Sequence, residues 1–267
     1  MSGDTKEALA RIMKENGVEC YGVCPYDELR GRELSCRAEE RIPKGVRSCI
    51  VMLFPYRVEK TRGNVSAYAA VKDYHKVAGK RLDTISGCLR KEFAGNAFEW
   101  FCDNSPVPEV WAAARAGLGV IGRNRLLIHK RYGSYVFIGE ILTDMPLPPS
   151  DADGMKTCIG CGACEAACPV RNLPEFERSR CLSEITQRKG ELTKREEELL
   201  RTSGCAWGCD ICQEACPLNR FAELSPLPEF CESYRPSAEE GEHAPDRAFL
   251  WRGEKVIDRN LCILKKK

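Results

Sequence analysis

No unbroken apolar run in the 267 residues exceeds the six of Cys49–Phe54, far short of the roughly 20 that cross a bilayer as a helix. A membrane-spanning helix is therefore not expected. The opening Met-Ser-Gly-Asp-Thr-Lys-Glu lacks the basic-then-apolar pattern of a secretory leader, so the expected location is cytoplasmic. Neither sign of charge prevails: 41 Lys and Arg against 39 Asp and Glu leave a net +2. That balance neither demands nor excludes a nucleic-acid partner. Long tandem repeats and low-complexity tracts are also missing. What remains, 43% hydrophobic and 30% charged, is the composition of a soluble globular chain long enough for one large or two modest domains.

Cysteine is in excess. Seventeen in a chain without a leader argue for metal sites rather than disulfides. Cys158, Cys161, Cys164 and Cys168 stand at gaps of two, two and three residues, and Pro169 follows. This is the bacterial ferredoxin run, in which three thiolates hold one iron–sulfur cubane and the fourth reaches a second cluster. Cys209, Cys212 and Cys216 repeat the gaps of two and three and the closing proline, Pro217. The pattern pairs Cys158, Cys161 and Cys164 with Cys216 on one cluster. Cys168, Cys209 and Cys212 share the other with one more ligand, and spacing leaves Cys181 and Cys205 both open. Cys-x-x-Cys pairs also bind zinc, but zinc sites seldom use the three-residue gap ending in Cys-Pro. The other eight cysteines (20, 24, 36, 49, 88, 102, 231 and 262) read as small apolar residues or surface thiols.

The rest of the chain reads as α/β. Asp4 and Glu7 suggest a capping box, and Gly17 a helix stop. Residues 18–24 suggest a short strand, and Arg47–Phe54 a strand buried on both faces and ended by Pro55. Apolar residues from Val71 to Leu89 recur at helical steps, predicting one helix over Ala67–Leu89. A strand is expected at Phe98–Cys102 and a helix from Ser105-Pro106 to Gly117. Arg125–His129 and Ser134–Thr143 suggest two strands joined by residues 130–133. Proline-rich residues 144–154 mark a linker, and Leu182–Leu200 reads as helical. The expected domains are 1–152, 153–235 and a tail, 236–267. Gly117-Leu118-Gly119-Val120-Ile121-Gly122 spells a dinucleotide fingerprint, but that motif needs a strand before it and a helix after it. Here the order is reversed, so nucleotide binding is not expected.

Asp73-Tyr74-His75-Lys76, Asp103-Asn104-Ser105-Pro106-Val107, Ala114–Gly119, Ile121-Gly122-Arg123-Asn124, Leu127-Ile128-His129, Arg131–Ser134 and Gly139–Asp144 together resemble the epoxyqueuosine reductase family. The likeness continues through both cysteine groups to Ala222, then to Trp251-Arg252-Gly253 and Arg259-Asn260, in the form of a short member without a C-terminal helical-repeat segment. The resemblance implies a cobalamin-binding α/β domain of the reductive dehalogenase type, followed by a ferredoxin-like domain with two 4Fe–4S clusters. It implies reduction of epoxyqueuosine to queuosine in tRNA, with electrons from a flavodoxin or ferredoxin, in a monomer. It implies Cys181 as the last ligand of cluster two, Asp103 as proton donor, and cobalamin contacts at Ser66, Asp103, Arg123, Leu127 and Ile138. Asp103 would need burial to raise its carboxyl pKa toward neutrality. His75 and His129 match family positions, with packing or ligand roles. The alternatives are a cobalamin and iron–sulfur reductase of another small electrophile, and a ferredoxin-like electron-transfer protein without a substrate of its own.

Overall fold

Ser48–Pro55 (Ser-Cys-Ile-Val-Met-Leu-Phe-Pro) has no polar alternation, and every one of its residues is buried. A strand of that kind must lie inside a sheet covered on both faces. The computed structural model describes residues 2–59, 63–150 and 157–266 and places this strand in the middle of a four-stranded sheet. The strands are β1 (Tyr21–Pro25), β2 (Ser48–Pro55), β3 (Phe98–Cys102) and, named with the short β4 (Val120–Ile121) and β5 (Leu127–Ile128) that precede it, β6 (Val136–Thr143). Their order is β1-β2-β6-β3. β1 runs antiparallel to β2, and β3 antiparallel to β6 with Phe101 opposite Glu140.

The described residues form two compact units. One contains residues 1–54, 75–129 and 136–158; the other contains 55–74, 130–135 and 159–267. In the first, α1 (Ser2–Glu15), α3 (Tyr74–Glu92) and α4 (Glu109–Arg115) accompany the sheet. Val51, Leu53, Phe101, Val107, Ala112, Ala113, Leu127 and Leu142 share one core. The α4–β1 approach is so close that a Cβ on Gly22 would lie 2.2 Å from the Ala116 carbonyl oxygen. Gly22→Ala is expected to destabilise the protein by about 1–3 kcal/mol through overpacking, read as a lowered denaturant midpoint under anaerobic conditions.

The second unit holds the short α2 (Ala67–Ala70) and, in chain order, α5 (Ala163–Ala167), α6 (Leu182–Gln187), α7 (Lys194–Ser203), α8 (Ile211–Glu214), α9 (Pro228–Cys231) and α10 (Glu254–Lys265). Trp207 and Phe249 pack beside Ala69, Ala70, Ile257 and Leu261. The α7 start is fastened by a capping box between Thr193 and Glu196. Residues 236–267 belong to this unit rather than standing apart, because Val256, Ile257 and Leu261 bury one face of α10 in its core. The residues at which a boundary near 152 was expected lie outside those described.

Several elements differ from the sequence reading. α1 begins at Ser2, ahead of the Asp4 cap, although Gly17 does end it in a left-handed turn, φ 67°. The helix expected over Ala67–Leu89 breaks after Ala70, where Val71 is extended. The Lys72 amide donates to Ser233 Oγ and that of Asp73 to the Asp246 carbonyl, so tertiary acceptors replace the helical ones. α4 starts at Glu109, not at Ser105-Pro106, because residues 103–108 form an irregular turn. β5 pairs with β4, while β6 pairs with β3; the two segments expected to be joined across residues 130–133 are strands, but in different sheets. Leu182–Leu200 is helical, as two helices, α6 and α7. The glycine motif follows α4, contains β4 and is followed by β5, the reverse of a dinucleotide fold.

Candidate active site and cluster cysteines

The first unit presents Asp103 immediately after β3. Its backbone adopts φ 63°, a conformation costly for a residue other than glycine and one that gathers at functional turns. Its carbonyl accepts from the Ser105 amide. His75, at the start of α3, brings Nε2 to 3.2 Å from Asp103 Oδ2. The aspartate side chain is 58% exposed, so the burial expected to raise its pKa is not supplied by this unit. The buried carboxyls lie beneath it. Glu140 is fully buried on β6, and its pKa is pushed up to about 8 by desolvation, against the opposing hydrogen bond from the Ser105 hydroxyl. Glu109, in the first turn of α4, is held well above the ordinary carboxylate range by burial and then by Glu140 and Asp103. Neither glutamate was identified from the sequence.

Of the other expected contacts, Arg123 is exposed in the turn between β4 and β5. Leu127 is 3% exposed and packs in the same apolar cluster as Ile138, so it offers a ligand its backbone rather than its side chain. His129 is buried. Ser66 falls in the second unit, 2% exposed, with its hydroxyl lacking a hydrogen-bond partner. It lines a cavity of about 640 Å3 together with Arg57, Tyr135, Cys205, Asp210, Cys216 and Arg220. An orphaned buried hydroxyl on such a wall fits a site that receives a polar ligand group.

The cluster cysteines are set on α5, α8 and the turns around them. Gly160 and Gly162, between the first ligands, have φ of 68° and 73° with open space beside them, so the backbone curls as wrapping a cubane demands. Cys164 sits in α5, Cys168 just after it, Cys181 just before α6, and Cys209, Cys212 and Cys216 before, within and after α8. The Cys212 thiol is pushed up to about 11 by burial, then by Cys181, Cys168 and Cys164. That of Cys209 is pushed up to about 12 by burial, then by Cys212, Cys205 and Cys181. Cys164 is raised by burial and also feels Cys216. Cys181 thus neighbours both Cys209 and Cys212. Cys205 also acts on Cys209, and its thiol donates to the Trp207 carbonyl at 3.1 Å. The Asn172 amide donates to Cys168 Sγ at 3.4 Å, the type of bond that tunes a cluster's potential. Among the described residues no three His, Cys, Asp or Glu side chains converge as they would on a single ion. A cubane instead takes its thiolates at four separate corners.

Residues 157–219 match the family described as "4Fe-4S double cluster binding domain", and residues 37–104 that described as "Epoxyqueuosine reductase QueG, DUF1730". The epoxyqueuosine reductase of Pseudomonas aeruginosa is 37% identical over 199 residues, which are 73% of this chain and 54% of that protein. That of Escherichia coli K12 is 33% identical, over 73% and 51%. The chain therefore spans about half the length of these curated relatives. Among solved structures, an epoxyqueuosine reductase with an epoxyqueuosine-modified tRNA stem loop is similar at TM-score 0.83 and 25% identity, over 99% of this chain and 81% of that one. The reductase from Streptococcus thermophilus is similar at TM-score 0.79 and 24% identity, over 97% and 80%. A catabolic reductive dehalogenase shares the fold more distantly, at TM-score 0.53 and 15% identity over 99% and 36%. With one family match ending one residue past Asp103, another enclosing all the expected cluster cysteines, and relatives of the same name at a third of identical positions, the chain belongs to the epoxyqueuosine reductase family.

Proposed function

We propose that the chain is a cobalamin-dependent, two-cluster reductase that converts epoxyqueuosine to queuosine in tRNA. The observation that carries this reading is the pairing, in one chain, of the two family matches with an Asp103–His75 contact at the end of β3. The tRNA substrate is supported by the similar structure that holds a modified stem loop. No helix among the described residues is long and apolar enough to cross a membrane; the reaction is placed in the cytoplasm, with a monomer fed by a flavodoxin or ferredoxin. Residues 1–152 are assigned to cobalamin and substrate, and 153–235 to the clusters.

Cluster one takes Cys158, Cys161, Cys164 and Cys216; cluster two takes Cys168, Cys181, Cys209 and Cys212. Ser66, Arg123, Leu127 and Ile138 are assigned to the corrinoid, Leu127 through its backbone. The corrinoid these residues would hold would provide the reducing electrons. The net change, epoxide to alkene and water, consumes two electrons and two protons. Asp103 delivers a proton to the departing oxygen, without which an alkoxide would have to leave. His75 Nε2 restrains the carboxyl at Oδ2, and the left-handed turn fixes its approach.

The test is anaerobic purification, reconstitution with iron and sulfide, addition of cobalamin, and mass spectrometry of the nucleosides from epoxyqueuosine-containing tRNA. Retained cobalamin with formation of queuosine is expected. Failure to retain cobalamin overturns the proposal; retention without queuosine transfers the reaction to a different electrophile.

A further inference from the structure

Trp251-Arg252-Gly253 and Arg259-Asn260 have no part in the chemistry above, yet both build one cavity in the second unit. It encloses about 810 Å3 at the start of α10, and Lys189, Arg252, Gly253, Glu254, Lys255 and Arg259 stand on its wall. Gly253 precedes the helix at φ 91° and ψ 147°, a backbone region essentially closed to other residues, so the chain passes from Arg252 into α10 only with glycine there. Asn260 is 0% exposed and donates to the Thr186 and Ala206 carbonyls, each at 2.7 Å. Arg259 donates to Asn260 Oδ1 through Nε and Nη2 at 3.0 and 2.8 Å. Its Nη1 donates to the carbonyls of Arg188, at 2.8 Å, and Gly190. Arg259 is thereby committed to the wall, and it fixes the turn that carries Lys189.

The charge on that wall is one-sided. Lys189, Arg252, Lys255 and Arg259 stand against one acid, Glu254. Among the described residues, Lys189, Arg252 and Lys255 have no acidic partner, and Arg252 Nε is buried without a hydrogen bond. Glu196, the acid that reaches the 188–190 turn, is held by Arg188 at 2.7 Å. The Arg252 guanidinium lies over the Trp251 indole, with Cζ 3.8 Å from the ring centroid, which restrains it without using its charge. Like charges gathered on a concave wall raise the local potential for an anion. The amides at the start of α10 add to that potential.

We propose that this cavity binds a backbone phosphate of RNA, with Lys189, Arg252 and Lys255 as the contacting cations. The proposal deepens the reading of tRNA as the substrate and rests on it. Phosphate suits these donors, since arginine offers a planar fork and each lysine a mobile point charge. Trp251, 61% exposed beside the cavity, offers its indole to a neighbouring base, a contact that inorganic phosphate would not use. Phosphate contacts of this kind position a nucleic acid and carry no sequence information, so the cavity contributes affinity and register rather than chemistry.

The experiment compares the reconstituted full chain with Lys189→Gln, Lys255→Gln, their double variant and Glu254→Gln. All three side chains belong to exposed residues, so the fold does not depend on them. Binding of a fluorescently labelled tRNA transcript is followed by anisotropy over a series of KCl concentrations, and inorganic phosphate is titrated by calorimetry at constant ionic strength. Each lysine variant should lower the slope of log K against log salt by about 0.7–1, and the double variant by about twice as much. Glu254→Gln, which removes the one acid, should tighten tRNA binding at low salt. A double variant with the wild-type slope and wild-type phosphate binding overturns the proposal and leaves the tRNA reaction standing. Phosphate binding that the double variant loses, with an unchanged tRNA slope, overturns the RNA contact in favour of free phosphate. A wild type that binds no tRNA overturns the RNA contact together with the tRNA substrate.

Discussion

Cys181→Ser should lower bound iron to about half the wild-type content, while Cys205→Ser should leave it whole. The two cysteines compete for the last position on cluster two, and their surroundings differ. Cys181 influences Cys209 and Cys212 together. Cys205, pushed up to about 12 chiefly by burial, spends its thiol proton on the Trp207 carbonyl. A ligand must be a thiolate, so metal binding at Cys205 would forfeit that bond. Serine is a poor substitute for thiolate on iron, so one cubane of the two should be lost. Iron and sulfide quantitation with electron paramagnetic resonance of the reduced protein reads the result. Full iron in Cys181→Ser and half in Cys205→Ser would reverse the assignment. Because electrons are expected to pass through both clusters, Cys181→Ser should also abolish turnover driven by a physiological donor.

Asp103→Asn should lower turnover by roughly 10²–10⁴-fold, the usual contribution of a positioned general acid, with iron content and cobalamin retention unchanged. Asparagine preserves the size of the side chain and tolerates the positive φ of 63°, so the turn survives and only the transferable proton is lost. His75→Gln serves as the control. It retains a polar partner near Oδ2, and it should cost less than removal of the acid itself. Single-turnover assays at matched cobalt reduction isolate the protonation step, and a rate for Asp103→Asn within threefold of wild type would remove Asp103 from the chemistry.

The double-cluster region was legible because its information is local. Two- and three-residue gaps determine how backbone wraps a cubane, and no long-range contact is needed to see them. Even so, the choice between Cys181 and Cys205 was not contained in spacing. It came from resemblance, and the iron content of the two serine variants decides it. The strand at Ser48–Pro55 was equally plain, since an eight-residue run without polar alternation has few other uses. The break after Ala70 was not. Val71 and Tyr74 continue the apolar period, and only the distant acceptors Ser233 and Asp246 draw the backbone out of the helix. The same holds for β5, whose partner is β4 by register rather than by proximity to β6 along the chain.

Asp103 marks the division most clearly. Its position could be read from the chain, but its setting could not: a buried acid was expected, and the fold leaves that carboxylate half exposed beside the buried Glu140 and the partly buried Glu109. In sequence Glu109 is an acidic residue at a helix start, and Glu140 one polar letter within a strand. Each looks like ordinary surface until β3, α4 and β6 meet. The spacing of the cysteines expected on the clusters, and one buried strand, follow from the sequence because they depend on neighbours a few residues away. Which carboxyl is dry, which thiol is committed to a carbonyl and which helix breaks were settled by tertiary structure, because desolvation and hydrogen-bond competition arise only when residues far apart in the chain are packed together.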